Sequence, residues 1–219
     1  MNIMKPTACP MPLYHGTSSL FVEDIKKYGL GGKNIIQEAK VLDFARAIHP
    51  FVKEHLQKKN VYDGRFDVFS DMVEQKSLYQ HGQVYVSLSY DYCTKFTQIR
   101  KFGSELITYA LSYYEDLLNQ EILSIDFLKD YPFLRNIRNM NFNPVVIKIE
   151  KLDFGNLLCV NGEPLTDEYF EKIKMISDME ESKIKEFARS SYQFRLKYPI
   201  SCDKLSFDFN PSLKYQNLS

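Results

Sequence analysis

Apolar positions along the chain follow two rhythms, and the rhythm changes near Gly82. Before that point helical spacing dominates. Leu13-Tyr14-His15 forms a short strand candidate, ended by Gly16-Thr17-Ser18-Ser19. Ser18 or Ser19 is placed to cap a helix running through Phe21, Ile25 and Tyr28, and Gly29, Gly31 and Gly32 stop it. Residues 35–59 carry apolar side chains at helical intervals, with Pro50 as the expected break or kink, and residues 66–79 read as a further helix. Beyond Gly82 the pattern alternates. Gln83 to Ser87 is a β-rich strand, followed by helices over 89–101 and 104–119. Pro144 to Ile149 is the clearest strand, 164–189 is a charged helical region, and closing strands lie near 193–198 and 204–209. Residues 1–11, with Pro6 and Pro10, read as an irregular lead-in. Strands and helices mix without regular βαβ alternation, so an α+β fold is expected rather than a doubly wound one.

Composition narrows the class. With 219 residues, 44% apolar and 26% charged, the chain is an ordinary globular one, expected as a single domain with two small ones as the alternative. Lys plus Arg and Asp plus Glu both total 28, which leaves no basic excess to drive a search for nucleic acid or a membrane surface. The block from Asp178 to Lys185 reads as a solvated helix face. Cys9, Cys93, Cys159 and Cys202 lie far apart, without a CxxC pair or histidines at ligand spacing. Neither a metal site nor a disulfide framework is therefore expected. The N-terminus lacks the apolar core of a signal peptide, and no apolar run approaches the roughly 20 residues that span a bilayer. The expected setting is cytoplasmic and reducing, with no membrane partner. His49, His55 and His81 follow no nucleophile or metal spacing, and Tyr79, Tyr85, Tyr90 and Tyr92 read as core and rim rather than a base-stacking platform.

Four pieces, in order, resemble the ADP-ribosyltransferase family, in particular its diphtheria-toxin-like and poly(ADP-ribose) polymerase-like branch. The first is Leu13-Tyr14-His15-Gly16-Thr17 with Ile25 and then Gly29-Leu30; the second is Gly82-Gln83-Val84-Tyr85-Val86-Ser87 leading to Phe96. The third is the strand from Val145 with its tail to Asn156, and the fourth runs from Tyr192 to Phe207. The resemblance covers most of the chain except helical stretches at about 33–80 and 163–188, which look like insertions. It implies a single domain over 1–219, built on two small packed antiparallel sheets with flanking helices.

What the resemblance implies chemically is NAD as co-substrate, no metal, and transfer of ADP-ribose with release of nicotinamide. His15 would bond a ribose hydroxyl, the backbone of Gly16 would meet the carboxamide, and Tyr85 and Phe96 would sandwich the pyridinium ring. Thr17 and Ser87 join the cofactor-binding set. Cys93 falls where the family often has a serine, and a thiol is the poorer donor. The family's catalytic glutamate aligns with Gln193, which can bond a hydroxyl but cannot take a proton. Three outcomes stay open at this stage: mono-ADP-ribosylation of a protein or nucleic-acid acceptor or slow NAD hydrolysis, a non-catalytic NAD- or ADP-ribose-binding module, and the related tRNA 2′-phosphotransferase chemistry. Stand-alone domains of this kind resemble toxins or effectors, which would carry an antitoxin or immunity partner. Glu186 enters only as a minor alternative carboxylate.

Overall fold

The computed structural model describes residues 7–76 and 80–214. Pro6 in the lead-in and Tyr79 at the end of the expected 66–79 helix lie outside the described residues. The fold is mixed α+β and divides into two compact units. A sheet unit takes 1–33, 83–103 and 142–219, and a helical unit takes 34–82 and 104–141. The expected insertion at 33–80 falls almost wholly in the helical unit, whereas 163–188 belongs to the sheet unit.

The sheet unit contains β1 (Leu13–Ser18), β2 (Tyr85–Ser87), β3 (Pro144–Ile149), β4 (Leu157–Leu158), β5 (Gln193–Leu196) and β6 (Leu205–Asp208). They form one antiparallel sheet in the order β4-β5-β2-β1-β3-β6, where two small sheets were expected. The physical reason for the difference is a narrow join. β1 pairs with β3 along its whole length, from Leu13↔Ile149 to Ser18↔Pro144, and β2 pairs with β5 from Tyr85↔Arg195 to Ser87↔Gln193. Between β1 and β2 the ladder registers at Tyr14↔Ser87. Two three-stranded halves thus meet at a seam of one paired position.

Alternation along the strands sets the two faces. Leu13, Val86, Ile147, Ile149, Phe194 and Leu196 join Val22 and Ile25 of α1 (Val22–Tyr28) and Ile173 and Ile176 of α8 (Asp167–Asp178) in one core. Each such side chain, fully buried, contributes about 1.5–3 kcal/mol relative to exposure. The opposite face receives α5 (Tyr90–Ile99), the helix that Ser89 caps by accepting the Tyr92 N–H. Gly29 ends α1 at φ 80°, and a Cβ there would lie 2.5 Å from the Ile200 carbonyl oxygen. That close approach lets Leu30 exchange backbone hydrogen bonds with Ile200.

The helical unit holds α2 (Ile35–Glu38), α3 (Val41–Lys59), α4 (Gly64–Val73), α6 (Glu105–Asn119) and α7 (Pro132–Ile137). The break expected at Pro50 occurs instead at Lys40, which takes a left-handed φ of 54°, and α3 runs through the proline. Burial outweighs the lost hydrogen bond there: Val41, Phe44, Ala45, Ile48 and Val52 lie on one buried stripe that spans position 50. That stripe meets Leu106, Ala110, Tyr114 and Leu117 of α6 in an aromatic-rich core. Phe44 lies 5.7 Å from Tyr114 and 5.1 Å from Tyr131, centre to centre.

The charged block from Asp178 to Lys185 is not one helix face. α8 ends at Asp178, and α9 (Lys183–Ser190) starts after a turn. Lys185 is buried, and its ammonium donates to the carbonyls of Ser177 (3.1 Å) and Met179 (2.6 Å) beside Glu181 (3.1 Å). Three donors find three acceptors at the carbonyl end of α8, where the helix dipole favours a cation. Among the described residues no helix is long and apolar enough to cross a membrane.

Candidate functional site

The site residues expected from the sequence all lie in the sheet unit, and most gather at the β1–β2 seam. Where the ladder lapses after Tyr14↔Ser87, a side chain takes over. His15 Nδ1 lies 2.8 Å from the carbonyl oxygen of Tyr85. A carbonyl only accepts, so Nδ1 carries the proton and Nε2 keeps its lone pair. Part of the ring surface reaches solvent, yet protein surrounds it densely. Desolvation therefore pulls the imidazole pKa below its ordinary value, and the bond to Tyr85 offsets only part of this. His15 is neutral near pH 7 and offers one acceptor nitrogen.

Gly16 sits against α5. A Cβ there would come within 2.7 Å of the Cys93 carbonyl oxygen and 3.3 Å of the Phe96 ring, so only glycine allows strand and helix to approach this closely. The Cys93 thiol is buried beneath the seam, and desolvation pushes its pKa up to about 12. Backbone N–H groups of Gly16 and Ser87 point toward the sulfur and offset a little of that shift. Tyr85 is half-buried on the face that carries Ser87 and Gln193. Thr17 is buried and projects to the opposite face, in the row of Leu13 and His15.

A chain of hydrogen bonds leads from the seam to α9. Ser87 Oγ donates to the Tyr192 carbonyl (3.2 Å) and accepts from the Ser89 N–H (3.1 Å). Ser89 Oγ, besides capping α5, donates to Oε1 of Glu186. Arg189 Nη1 stands 3.7 Å from the other carboxylate oxygen, and the Glu186 side chain is only 12% exposed. Its pKa is raised, chiefly by burial. The Ser89 hydrogen bond opposes this, the Asp91 charge adds to it, and Arg189 and the Asp91 backbone N–H oppose it again. Gln193 faces Ser87 across the β2–β5 ladder, and its amide nitrogen donates to the Ser190 carbonyl just upstream.

Glu186 is therefore the site residue given least weight in the sequence. Its only local signal is the Glu186–Arg189 pair one helical turn apart, behind a Ser182 cap. The contact with Ser89 spans nearly half the chain and has no sequence signature. Among the described residues no group of three or more His, Cys, Asp or Glu side chains is arranged to hold a metal ion. Comparison of the chain with family models, curated proteins and solved structures finds no match in any of the three.

Proposed function

We propose that this protein is an NAD-dependent mono-ADP-ribosyltransferase working at the β1–β2 seam, with a protein or nucleic-acid acceptor. The observation that carries the reading is the seam itself, where the His15 tautomer is fixed by Tyr85 and Gly16 lies flush against α5 beside Phe96. A neutral imidazole with a free Nε2 suits a ribose hydroxyl as donor. The backbone of Gly16, without a side chain and one residue from His15, suits a carboxamide. Tyr85 and Phe96 supply aromatic faces for a cationic pyridinium ring. The residues thus offer NAD an acceptor nitrogen at His15, two aromatic rings, and a strand held at Gly16 directly against the helix that carries Phe96.

Holding the dinucleotide this way contributes positioning and charge stabilisation, the larger part of the barrier reduction in a dissociative transfer. A second reading, a non-catalytic NAD- or ADP-ribose-binding module, is favoured by one specific observation. Gln193, at the position where the resemblance places a carboxylate, has its amide turned onto the Ser190 carbonyl.

Calorimetry with NAD and an assay of nicotinamide release, on wild type and His15→Ala, separate the readings. The transferase reading expects binding and release in wild type, both greatly weakened in His15→Ala. Binding without release leaves the module. Neither binding nor release removes both.

A further inference from the structure

The transfer reaction leaves one proton unassigned. When water or an acceptor hydroxyl bonds to the ribose C1′, the C1′–N bond breaks and its electron pair returns to the nicotinamide ring nitrogen. The attacking oxygen must then give up a proton. Gln193 cannot take it, His15 holds Tyr85 through Nδ1 and in the transferase reading receives a ribose hydroxyl at Nε2, and Cys93 is a buried thiol held protonated. Three carboxylates flank the start of α5. Asp91 accepts the Lys214 backbone N–H at 2.9 Å, and the exposed Asp208 accepts from the Tyr90 hydroxyl. The third, and a shielded one, is Glu186.

We infer that Glu186, delivered by α9 rather than by a sheet strand, is the proton acceptor of this site. The inference rests on the transferase reading. Its geometric support is the hydrogen-bond chain from Ser87 through the backbone N–H and the hydroxyl of Ser89 to Glu186, which ties the carboxylate to the end of β2 and the start of β5, where Gln193 also stands. The carboxylate is 12% exposed, so it is shielded without being sealed. It accepts the Ser89 hydroxyl on one oxygen, and the guanidinium of Arg189 stands 3.7 Å from the other, too far for a hydrogen bond, which leaves acceptor capacity for an incoming O–H. Tyr14 of β1 and Cys93 and Asp91 of α5 face it, with Arg189 beside it on its own helix; their charges act on its titration or are acted on by it. Arg189 is itself forked onto Glu181 at 2.8 and 3.1 Å, so its attraction for Glu186 is shared. Burial then keeps the carboxyl above the ordinary glutamate range and makes it a better base than a solvated one. With water as acceptor the balance is complete: NAD and water give ADP-ribose and nicotinamide, and the proton passes to the Glu186 carboxylate and then to solvent.

A purely structural role makes a different forecast. If Glu186 only anchors α9 to the N-terminus of α5, a glutamine at that position keeps the hydrogen bond to Ser89 and leaves catalysis intact. The test uses NAD alone, with water as acceptor. Nicotinamide release and NAD affinity are measured from pH 4.5 to 8 for wild type, Glu186→Gln, and Glu186→Ala with and without added formate, with Tm as the check on folding. The inference expects release to fall about a hundredfold or more in Glu186→Gln, with NAD affinity within a few-fold of wild type. It also expects an acid limb in wild type, centred above the usual carboxylate range, and partial rescue of Glu186→Ala by formate. Near-wild-type release in Glu186→Gln, or a wild-type profile without an acid limb, overturns the inference and leaves the transferase reading in place. Wild type that binds NAD without releasing nicotinamide overturns both in favour of the module, and wild type that does not bind NAD removes all three.

Discussion

The interiors of the two units differ in kind. All eight buried polar or charged residues among the described ones, Thr17, Ser18, Ser87, Ser89, Asp91, Thr94, Thr97 and Lys185, belong to the sheet unit. The helical unit buries aliphatic and aromatic side chains, and its buried tyrosine hydroxyls are satisfied: Tyr114 donates to the Ser124 carbonyl and Tyr113 to Asp63. An apolar interior forms whenever area and packing allow. A polar interior must have its partners arranged in advance, because each unsatisfied group costs more than its hydrogen bond returns. The sheet unit therefore carries stability that is conditional on geometry, and the conditional positions cluster at the seam and at α9. That is where chemistry is expected.

Four changes break or sharpen this contrast. The largest effect is expected in the helical unit, where Phe44→Ala removes a fully buried ring packed against Tyr114, Phe127 and Tyr131. It should cost about 3–5 kcal/mol in denaturant melts. Gly16→Ala comes next. The new methyl meets backbone, not a flexible side-chain end, so a loss of about 1–3 kcal/mol is expected, together with loss of NAD binding by calorimetry. An Ala variant of unchanged stability would mean that β1 and α5 tolerate separation. Third, Lys185→Met keeps the stem volume but strands two buried carbonyls, and should lower stability by roughly 1–3 kcal/mol. A neutral or stabilising result would place Lys185 with ion pairs that apolar residues can replace.

The smallest effect is a slope. The folded-state pKa of His15 lies below its unfolded value, so the unfolded chain binds the extra proton first. Its contribution is intact above about pH 6.5 and is lost as pH falls through that value toward the folded pKa. Glu186 has the opposite sign: its pKa is raised, so its contribution weakens as pH rises from the unfolded value near about 4.3 through the folded one. Tm measured against pH for wild type and His15→Asn should show a shallower decline below about pH 6.5 in the variant.

The contrast also explains what the sequence could reveal. Pro144–Ile149 and β5 were legible because a β-branched run in the first and alternation in the second are local signals, and Gly29, Ser89 and Ser104 marked helix ends through their own backbone and side-chain chemistry. His15, Gly16, Tyr85 and Phe96 were selected by a resemblance of ordered pieces, and the fold brings these four to one seam. Continuity of α3 through Pro50 was hidden, since it depends on a stripe buried by partners elsewhere in the chain. The joining of the two half-sheets at Tyr14↔Ser87 was hidden too, because one paired position leaves no periodicity. Lys185 was misjudged for the same reason, and the burial of Glu186 against Ser89 left no local signal. Charged residues on a short helix look solvated until the carbonyls and the serine that hold them are known.

Chain threading carries a further consequence for biosynthesis. The polypeptide leaves the sheet unit after Lys33, returns for Gln83–Gly103, leaves again and comes back at Phe142. On the ribosome the helical unit has all its residues once position 141 has emerged, whereas β1 waits for β3 and β2 waits for β5. Such distant pairings form slowly. The nascent chain thus holds Tyr85 without its ladder partner Arg195 until β5 is made, and a product truncated before Gln193 would carry a finished helical unit and an open seam. Any activity that depends on that seam is withheld until β5 has been made.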